Sequence, residues 1–452
     1  MNANPPTLRE YFMLRKSALA ASFLALTVAA SADDANWPSW RGPAANGVAP
    51  VDANPPVTWS ADKNIKWKVA LPGRGSATPV VWGKQIFVLT ATKTERDSKP
   101  EERPKADDRF QQKTTRPTQF FKFEVHAFDL ATGKPAWNKT AAEAVPHEGH
   151  HETHSYAGGS PVTDGKRLYA SFGSFGIFAY DLEGNQLWKR DLGRINSRLG
   201  WGEAVTPVLD GDSLILNWDQ EGAGDSKILV LNAATGETKL EIPREEKTSW
   251  NTPLVVMHGG KTQVIVNGTN RVRSYDLADG KVLWSVAGMT TNAIPSPIAA
   301  NGFAYIMSGY RGSAAVAVSL DAKGDLTDAS KVAWRYGKGT PYVPSPILVD
   351  GRLYFTQANT PTLTILDAKT GKPILTDERL PNVGQLYASP MAAAGRLYFV
   401  DRQGTTLVLK AGDKPEVLST NKLNDPIDAS PVVSGKTLFL RSHKYLYAIE
   451  ER

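Results

Sequence analysis

The 452-residue chain contains no cysteine. That absence excludes a disulfide framework, a thiolate zinc site, a cysteine nucleophile and a lipid-anchored amino-terminal cysteine. It also lacks any apolar run of about 18 residues, the length a helix needs to cross a bilayer. Sustained 3.6-residue periodicity is missing, which excludes the helical solenoids. No Gly-x-Ser-x-Gly elbow and no P-loop occurs, so two common routes to hydrolase and nucleotide chemistry are absent. Charge is nearly balanced, with 52 Lys and Arg against 46 Asp and Glu. The net of +6 does not argue for nucleic acid. The 38 glycines and 30 prolines are too few for a collagen-like or low-complexity chain. What is present is a 41% hydrophobic, 9% aromatic composition that supports a large core. Length alone, at about 100–200 residues per domain, suggests two to four domains.

The amino terminus reads as an address. Arg15 and Lys16 precede an apolar run from Ala18 to Ala30, and Ala30-Ser31-Ala32 has the small-x-small form of a cleavage site. These are the three regions of a secretory signal peptide, expected over residues 1–32. Cleavage after Ala32 leaves Asp33–Arg452 as one domain, secreted or periplasmic. Met13 serves equally well as a start, because the leader does not require Met1–Phe12.

The remaining chain has a period. Thr78-Pro79, Ser160-Pro161, Thr206-Pro207, Thr252-Pro253, Ser296-Pro297, Ser345-Pro346, Ser389-Pro390 and Ser430-Pro431 form eight tokens, with prolines 82, 46, 46, 44, 49, 44 and 41 residues apart. After each token come an apolar pair, a glycine turn, a β-branched and aromatic run, a variable loop and a further run. Four short strands per unit of about 40–45 residues describe a propeller blade. The expected fold is therefore all-β: an eight-bladed propeller of four-stranded antiparallel blades. The last unit stops at its third strand, Tyr445–Ile449, and the segment beginning Asp62-Lys63-Asn64-Ile65-Lys66-Trp67 is expected to supply the fourth and close the ring. The surplus in the first interval, residues 91–121, reads as a long charged loop inserted in the first blade, without a strand pattern.

Ala127-x-Asp129-x-x-Thr132-Gly133-Lys134-x-x-Trp137 resembles the tryptophan-docking repeat of the quinoprotein-like (PQQ-like) propellers. That family holds the eight-bladed dehydrogenases that bind pyrroloquinoline quinone and the BamB-type outer-membrane assembly proteins, which share the repeat without the cofactor. Asp276–Trp284 keeps most of the motif, while Asn232–Leu240 lacks the tryptophan. The opening Trp37-Pro38-Ser39-Trp40-Arg41-Gly42-Pro43 is similar to secreted quinoprotein-like propellers of environmental bacteria. The resemblance runs from about Lys63 to the carboxyl end and implies the same eight-bladed fold. Trp67, Trp137, Trp188, Trp284 and Trp334 fall on the outer strands and read as packing between blades.

Topology sorts the loops. The glycine turns lie on one face, and the irregular loops, with the insert and Pro146–Gly159, lie on the other, which marks the latter and its central funnel as the binding face. His154, Trp218, Asp219, Trp250, Arg271, Arg273, Arg311 and Tyr342 fall at loop bases near that funnel and are the candidate ligand residues; aromatics stack on rings, and arginines grip carboxylates bidentately. Within His147–His154 four of the chain's seven histidines gather. His150 and His154 share a face if that loop is helical, which makes them candidate ligands for a divalent metal.

Two functions compete. One is a secreted binding or scaffold module that takes an envelope protein, a glycan or a small ligand on the loop-rich face, as a monomer, with no nucleic acid and no membrane anchor. The other, implied by the resemblance, is a quinoprotein alcohol or sugar dehydrogenase holding PQQ with calcium. This chain departs from that pattern: such dehydrogenases usually set two adjacent cysteines against the quinone, and there are none here, nor a cytochrome Cys-x-x-Cys-His. No catalytic residue is assignable from the sequence.

Overall fold

The recurring small residue before proline has a physical cause at the centre of the molecule. In the computed structural model, which describes residues 35–104, 113–222 and 226–451 together with Met1, the eight tokens stand in a circle around a central channel. The backbone N–H of one token donates to the side-chain hydroxyl of the next. Seven such bonds of 2.9–3.1 Å run Thr78 to Ser160 to Thr206, then Thr252 to Ser296 to Ser345 to Ser389 to Ser430, and from Ser430 back to Thr78. Serine or threonine is needed for the acceptor. The proline that follows has no N–H to leave unsatisfied at the channel wall.

Eight antiparallel sheets radiate from this belt. Blade 1 is Val80–Trp82, Gln85–Asp97, Gln119–Asp129 and Pro135–Ala144, numbered from the axis outward. Blades 2 to 7 repeat the order. Blade 8 is Val432–Ser434, Thr437–Arg441, Tyr445–Ile449 and, as its outermost strand, Ile65–Ala70 from the other end of the chain. Trp67 faces Ala448 in that pairing, and Ala70 faces Tyr445.

Neighbouring blades are locked by tryptophans. The indole N–H of Trp67 donates to Leu130 O, Trp137 to Leu182 O, Trp188 to Ala233 O and Trp334 to Ala368 O, at 2.9–3.1 Å. Each ring lies flat on the glycine of the next blade's last turn. A Cβ on Gly133, Gly184, Gly236 or Gly371 would stand only 2.6–2.8 Å from that ring. The turn itself is shaped by its aspartate: Asp129 and Asp367 accept from the N–H and hydroxyl of Thr132 and Thr370. Trp284 differs. Its N–H is buried with no partner among the described residues, because blade 5 has an enlarged turn there, and Gly324–Asp325 pairs in parallel with the Trp284 strand instead.

Two sequence readings need comment. The insert at 91–121 is in part regular: strands 2 and 3 of blade 1 extend to Asp97 and start at Gln119, with Thr92 paired to Lys122 and Lys93 to Phe121. Alternating charged residues hid this, because both faces of an elongated hairpin are wet. Residues 105–112 of the insert and, apart from Met1, the leader expected over 1–32 lie outside the described residues. Among the described residues no helix is long and apolar enough to cross a membrane.

Residues 37–48 have a role the sequence did not reveal. Trp37 pairs with Val81 in the innermost strand of blade 1, Pro38 O accepts from Thr163 in blade 2, and Val48 bridges to Ala392 in blade 7. Arg41 reaches Pro346 O of blade 6 at 2.7 Å. Residues 37–48 therefore cross the channel one step deeper than the hydroxyl belt and stopper it.

Candidate functional site

Above that stopper, on the loop-rich face, lies a cavity of about 370 Å³. Its wall is aromatic. Trp40 rises from the stopper, and Trp201, Trp250, Tyr310, Tyr342 and Tyr387 come from the loops. Ring centroids are 6.3 Å apart for Trp201 and Trp250, 6.5 Å for Trp201 and Tyr310, and 4.8 Å for Tyr310 and Tyr342. Trp250 is pinned by its indole N–H to Gly202 O at 2.7 Å. Beneath the rings the wall is hydroxylic: Thr78, Ser160, Thr206, Thr252, Ser389 and Ser430 of the belt reach the cavity.

One carboxylate faces it. Asp428 is only 4% exposed and receives His443 Nε2 at 2.8 Å and Arg402 Nε at 2.7 Å. Burial alone would raise its pKa, but those two bonds hold it below the ordinary carboxylate value. Arg402 also lies 4.4 Å over the ring of Tyr387. His154 lines the same cavity, with Nε2 3.0 Å from Glu203 O. Burial pushes its pKa down to about 4, so it stays neutral.

Of the candidate ligand residues, His154, Trp250 and Tyr342 meet at this cavity. The others do not line it. Trp218 is 1% exposed in the core between blades 2 and 3. Asp219 is fully buried in a bidentate pair with Arg244, at 2.8 and 3.1 Å, and also accepts from Ser249. The neighbouring charge was invisible from position 219 because Arg244 lies on the far side of the blade's outer hairpin. Arg271 pairs with Asp325, and Arg273 with Glu246, as braces around blade 4. Arg311 lies over Tyr310 at 5.2 Å. Trp40, Trp201, Tyr310, Tyr387 and Asp428 were missed. A signal was available for two of the missed aromatics, since Trp201 and Tyr387, like the candidates Trp250 and Tyr342, each precede a Ser/Thr-Pro token by five residues or fewer.

The histidine loop is not helical, so the spacing that would align His150 with His154 does not apply. Their rings stand perpendicular at 6.5 Å, and His150 Nδ1 is engaged with His151 O at 2.7 Å. The donor atoms that converge belong to His147, Glu148 and Glu203, within 4.8 Å of one another. Burial lifts the Glu148 carboxyl to about 7 and the Glu203 carboxyl to about 8, the latter helped by the neighbouring Glu148 charge.

The cavity's donor set also bears on a quinone cofactor. A calcium-held quinone needs several carboxylate and amide oxygens around the ion. Among the described residues lining the cavity, the carboxylate is Asp428 alone, already committed to Arg402 and His443, and no asparagine or glutamine is present. These residues do not fit PQQ with calcium.

The family model described as outer membrane protein assembly factor BamB matches residues 122–377 and 225–452. Among solved structures, BamB from Moraxella catarrhalis superposes with a TM-score of 0.52 at 14% identity, covering 81% of this chain and 98% of its own. Quinohemoprotein alcohol dehydrogenase from Comamonas testosteroni gives 0.59 at 11% identity, covering 92% of this chain and 81% of that one. The computationally designed Ika8 protein gives 0.52 at 10% identity, over 74% and 92% of the two chains. At these identities the superpositions speak for the fold alone. No curated protein matches the chain.

Proposed function

The chain belongs to the family of the outer membrane protein assembly factor BamB, and from that premise we propose that it is a secreted or periplasmic binding propeller whose partner inserts a ring-bearing group into the funnel on the loop-rich face. The observation that carries this is the aromatic wall: Trp201, Trp250, Tyr310, Tyr342 and Tyr387 around one axial cavity of about 370 Å³. That volume lies in the range of ordinary ligand pockets. Flat apolar faces above a belt of hydroxyls suit a group with a flat face and a hydrogen-bonding edge, as a sugar ring or an aromatic side chain has. The charged residue in reach is already neutralised, so binding would rest on stacking and hydroxyl contacts rather than on ion pairing.

A catalytic reading has less support. Asp428 and His443 form a hydrogen-bonded pair, but the carboxylate is shared with Arg402, and no hydroxyl is hydrogen-bonded to the His443 ring among the described residues. The leader expected from the sequence over residues 1–32 and the family together support the secreted or periplasmic location.

The test is a side-by-side screen of wild type and the Trp250→Ala/Tyr342→Ala double variant on glycan and envelope-peptide arrays. Loss of the wild-type signals by at least about tenfold in the variant, with unchanged melting, is the expected result, since buried aromatic anchors typically carry about 2 kcal/mol or more. Equal binding by both proteins would move the site elsewhere.

A further inference from the structure

Two adjacent loops of the binding face meet behind the funnel wall. One, leading out of blade 1, carries His147 and Glu148. The other, leading out of blade 2, carries Glu203. Ser197 N–H donates to Glu148 Oε2 at 3.0 Å, and Ser174 N–H donates to Glu203 Oε2 at 2.8 Å. The remaining oxygen of each carboxylate, Oε1, is buried without a hydrogen-bond partner among the described residues. Glu148 as a whole is 5% exposed and His147 is 2% exposed. Two buried carboxylates, each presenting an unpaired oxygen, are costly unless something positive joins them.

We propose that His147, Glu148 and Glu203 form a binding site for one divalent transition-metal ion of the zinc or manganese class. One donor atom from each lies within 4.8 Å of the other two, although the two loops are 55 residues apart in sequence from Glu148 to Glu203. His147 Nε2 donates to Ile195 O at 2.7 Å, which leaves Nδ1 with the free lone pair. A backbone carbonyl on one imidazole nitrogen is the usual device for orienting the other toward a metal. One imidazole nitrogen with two carboxylate oxygens suits zinc, manganese or ferrous iron better than calcium or magnesium, which take oxygen ligands and more of them. Ligand atoms around a tetrahedral zinc stand about 3.4 Å apart, so the present spacing of up to 4.8 Å has to close by about 1.4 Å at most.

The surroundings have the form of a built site. A small void of about 10 Å³ lies on the Glu203 side of the cluster, bounded by Tyr156, Phe172, Phe175 and Glu203 and not by His147 or Glu148. Any side chain at Gly173 would collide with the Glu203 carboxylate. Two charges of the ion would cancel those of the two carboxylates, leaving a neutral buried unit. The site also ties into the funnel: Glu203 O accepts from His154, and Gly202 O from Trp250. A bound ion would brace the loop that carries Trp201. This inference does not depend on what the funnel binds.

The test uses the full-length protein after chelator treatment, titrated with Zn²⁺, Mn²⁺ and Co²⁺ by calorimetry and thermal melting. One equivalent is expected, with melting raised by about 3 °C at a hundredfold excess over Kd. Co²⁺ should give a visible d–d band. His147→Ala and Glu148→Gln should each weaken binding by at least about tenfold while His150→Ala and His151→Ala leave it intact. Glu148→Gln keeps an acceptor for Ser197, and metal-free melting no lower than wild type shows that it folds. Absence of heat, melting shift and band with all three ions would overturn the proposal and leave the carboxyls sharing a proton. Binding that survives His147→Ala/Glu148→Gln, or that requires His150, would overturn it equally.

Discussion

His126 stands in the third strand of blade 1, 4% exposed, with Nε2 2.8 Å from the Thr90 hydroxyl. Burial drives its pKa from 6.5 down to about 4, Glu124 pulling weakly the other way and Arg441 adding to the drop. The folded state therefore binds fewer protons than the unfolded chain between those values. Its contribution is complete above pH 6.5 and is lost as pH falls toward 4, at up to about 1.4 kcal/mol per pH unit and about 3 kcal/mol in all. His126→Gln should flatten the melting-temperature profile across that window; profiles of equal slope would show that burial at this site does not govern acid sensitivity. Residue-scale function was the least legible part of the sequence. Trp250 and Tyr342 stood out as large aromatics at loop bases, a cue that picked Trp218 as well although that ring packs in the core. Asp219 misled because nothing near it in sequence announces Arg244, and a buried ion pair reads from one side as a free carboxylate.

At the scale of the element, each blade uses two devices, and both left a mark in the sequence. The hydroxyl belt requires Ser or Thr before Pro, and the docking turn requires a glycine under the tryptophan of the neighbouring blade, set in Asp-x-x-Thr-Gly at Asp129 and Asp367. Because the belt token recurs in all eight blades and the tryptophan dock in four, they repeat, which is why fold and blade count were readable from one chain. The extended hairpin of blade 1 was not, since nothing in a two-sided polar ribbon separates strand from loop. The turn also yields a paired test. Gly371 has φ +68° and would set a Cβ 2.6 Å from Trp334, whereas Gly351 has φ +74° with nothing within 4 Å. Gly351→Ala bears only the backbone strain, about 1 kcal/mol, while Gly371→Ala adds displacement of the indole and should lose about 1–3 kcal/mol more. Equal melting of the two variants would mean the tryptophan contact contributes nothing.

At the scale of the molecule, the amino-terminal segment acts twice. Residues 37–48 stopper the channel and put Trp40 at the funnel's base, and Ile65–Ala70 completes blade 8 while Trp67 docks on blade 1. Composition could not reveal the stopper, because an irregular crossing segment has no period. Deleting residues through 69 would expose the edge of Tyr445–Ile449 and vacate the Trp67 seat. Melting should drop by at least about 5 °C or lose its cooperativity; a truncated protein that melts like the full chain would show that the ring holds without this strand.

The functional proposal places recognition in the aromatic funnel. The most direct measurement compares wild type with Trp250→Ala/Tyr342→Ala on glycan and envelope-peptide arrays, with melting curves as the folding control. Wild-type signals are expected that fall at least about tenfold in a variant that melts normally. Signals unchanged in that variant, or no signal on either array from the wild type, would contradict it.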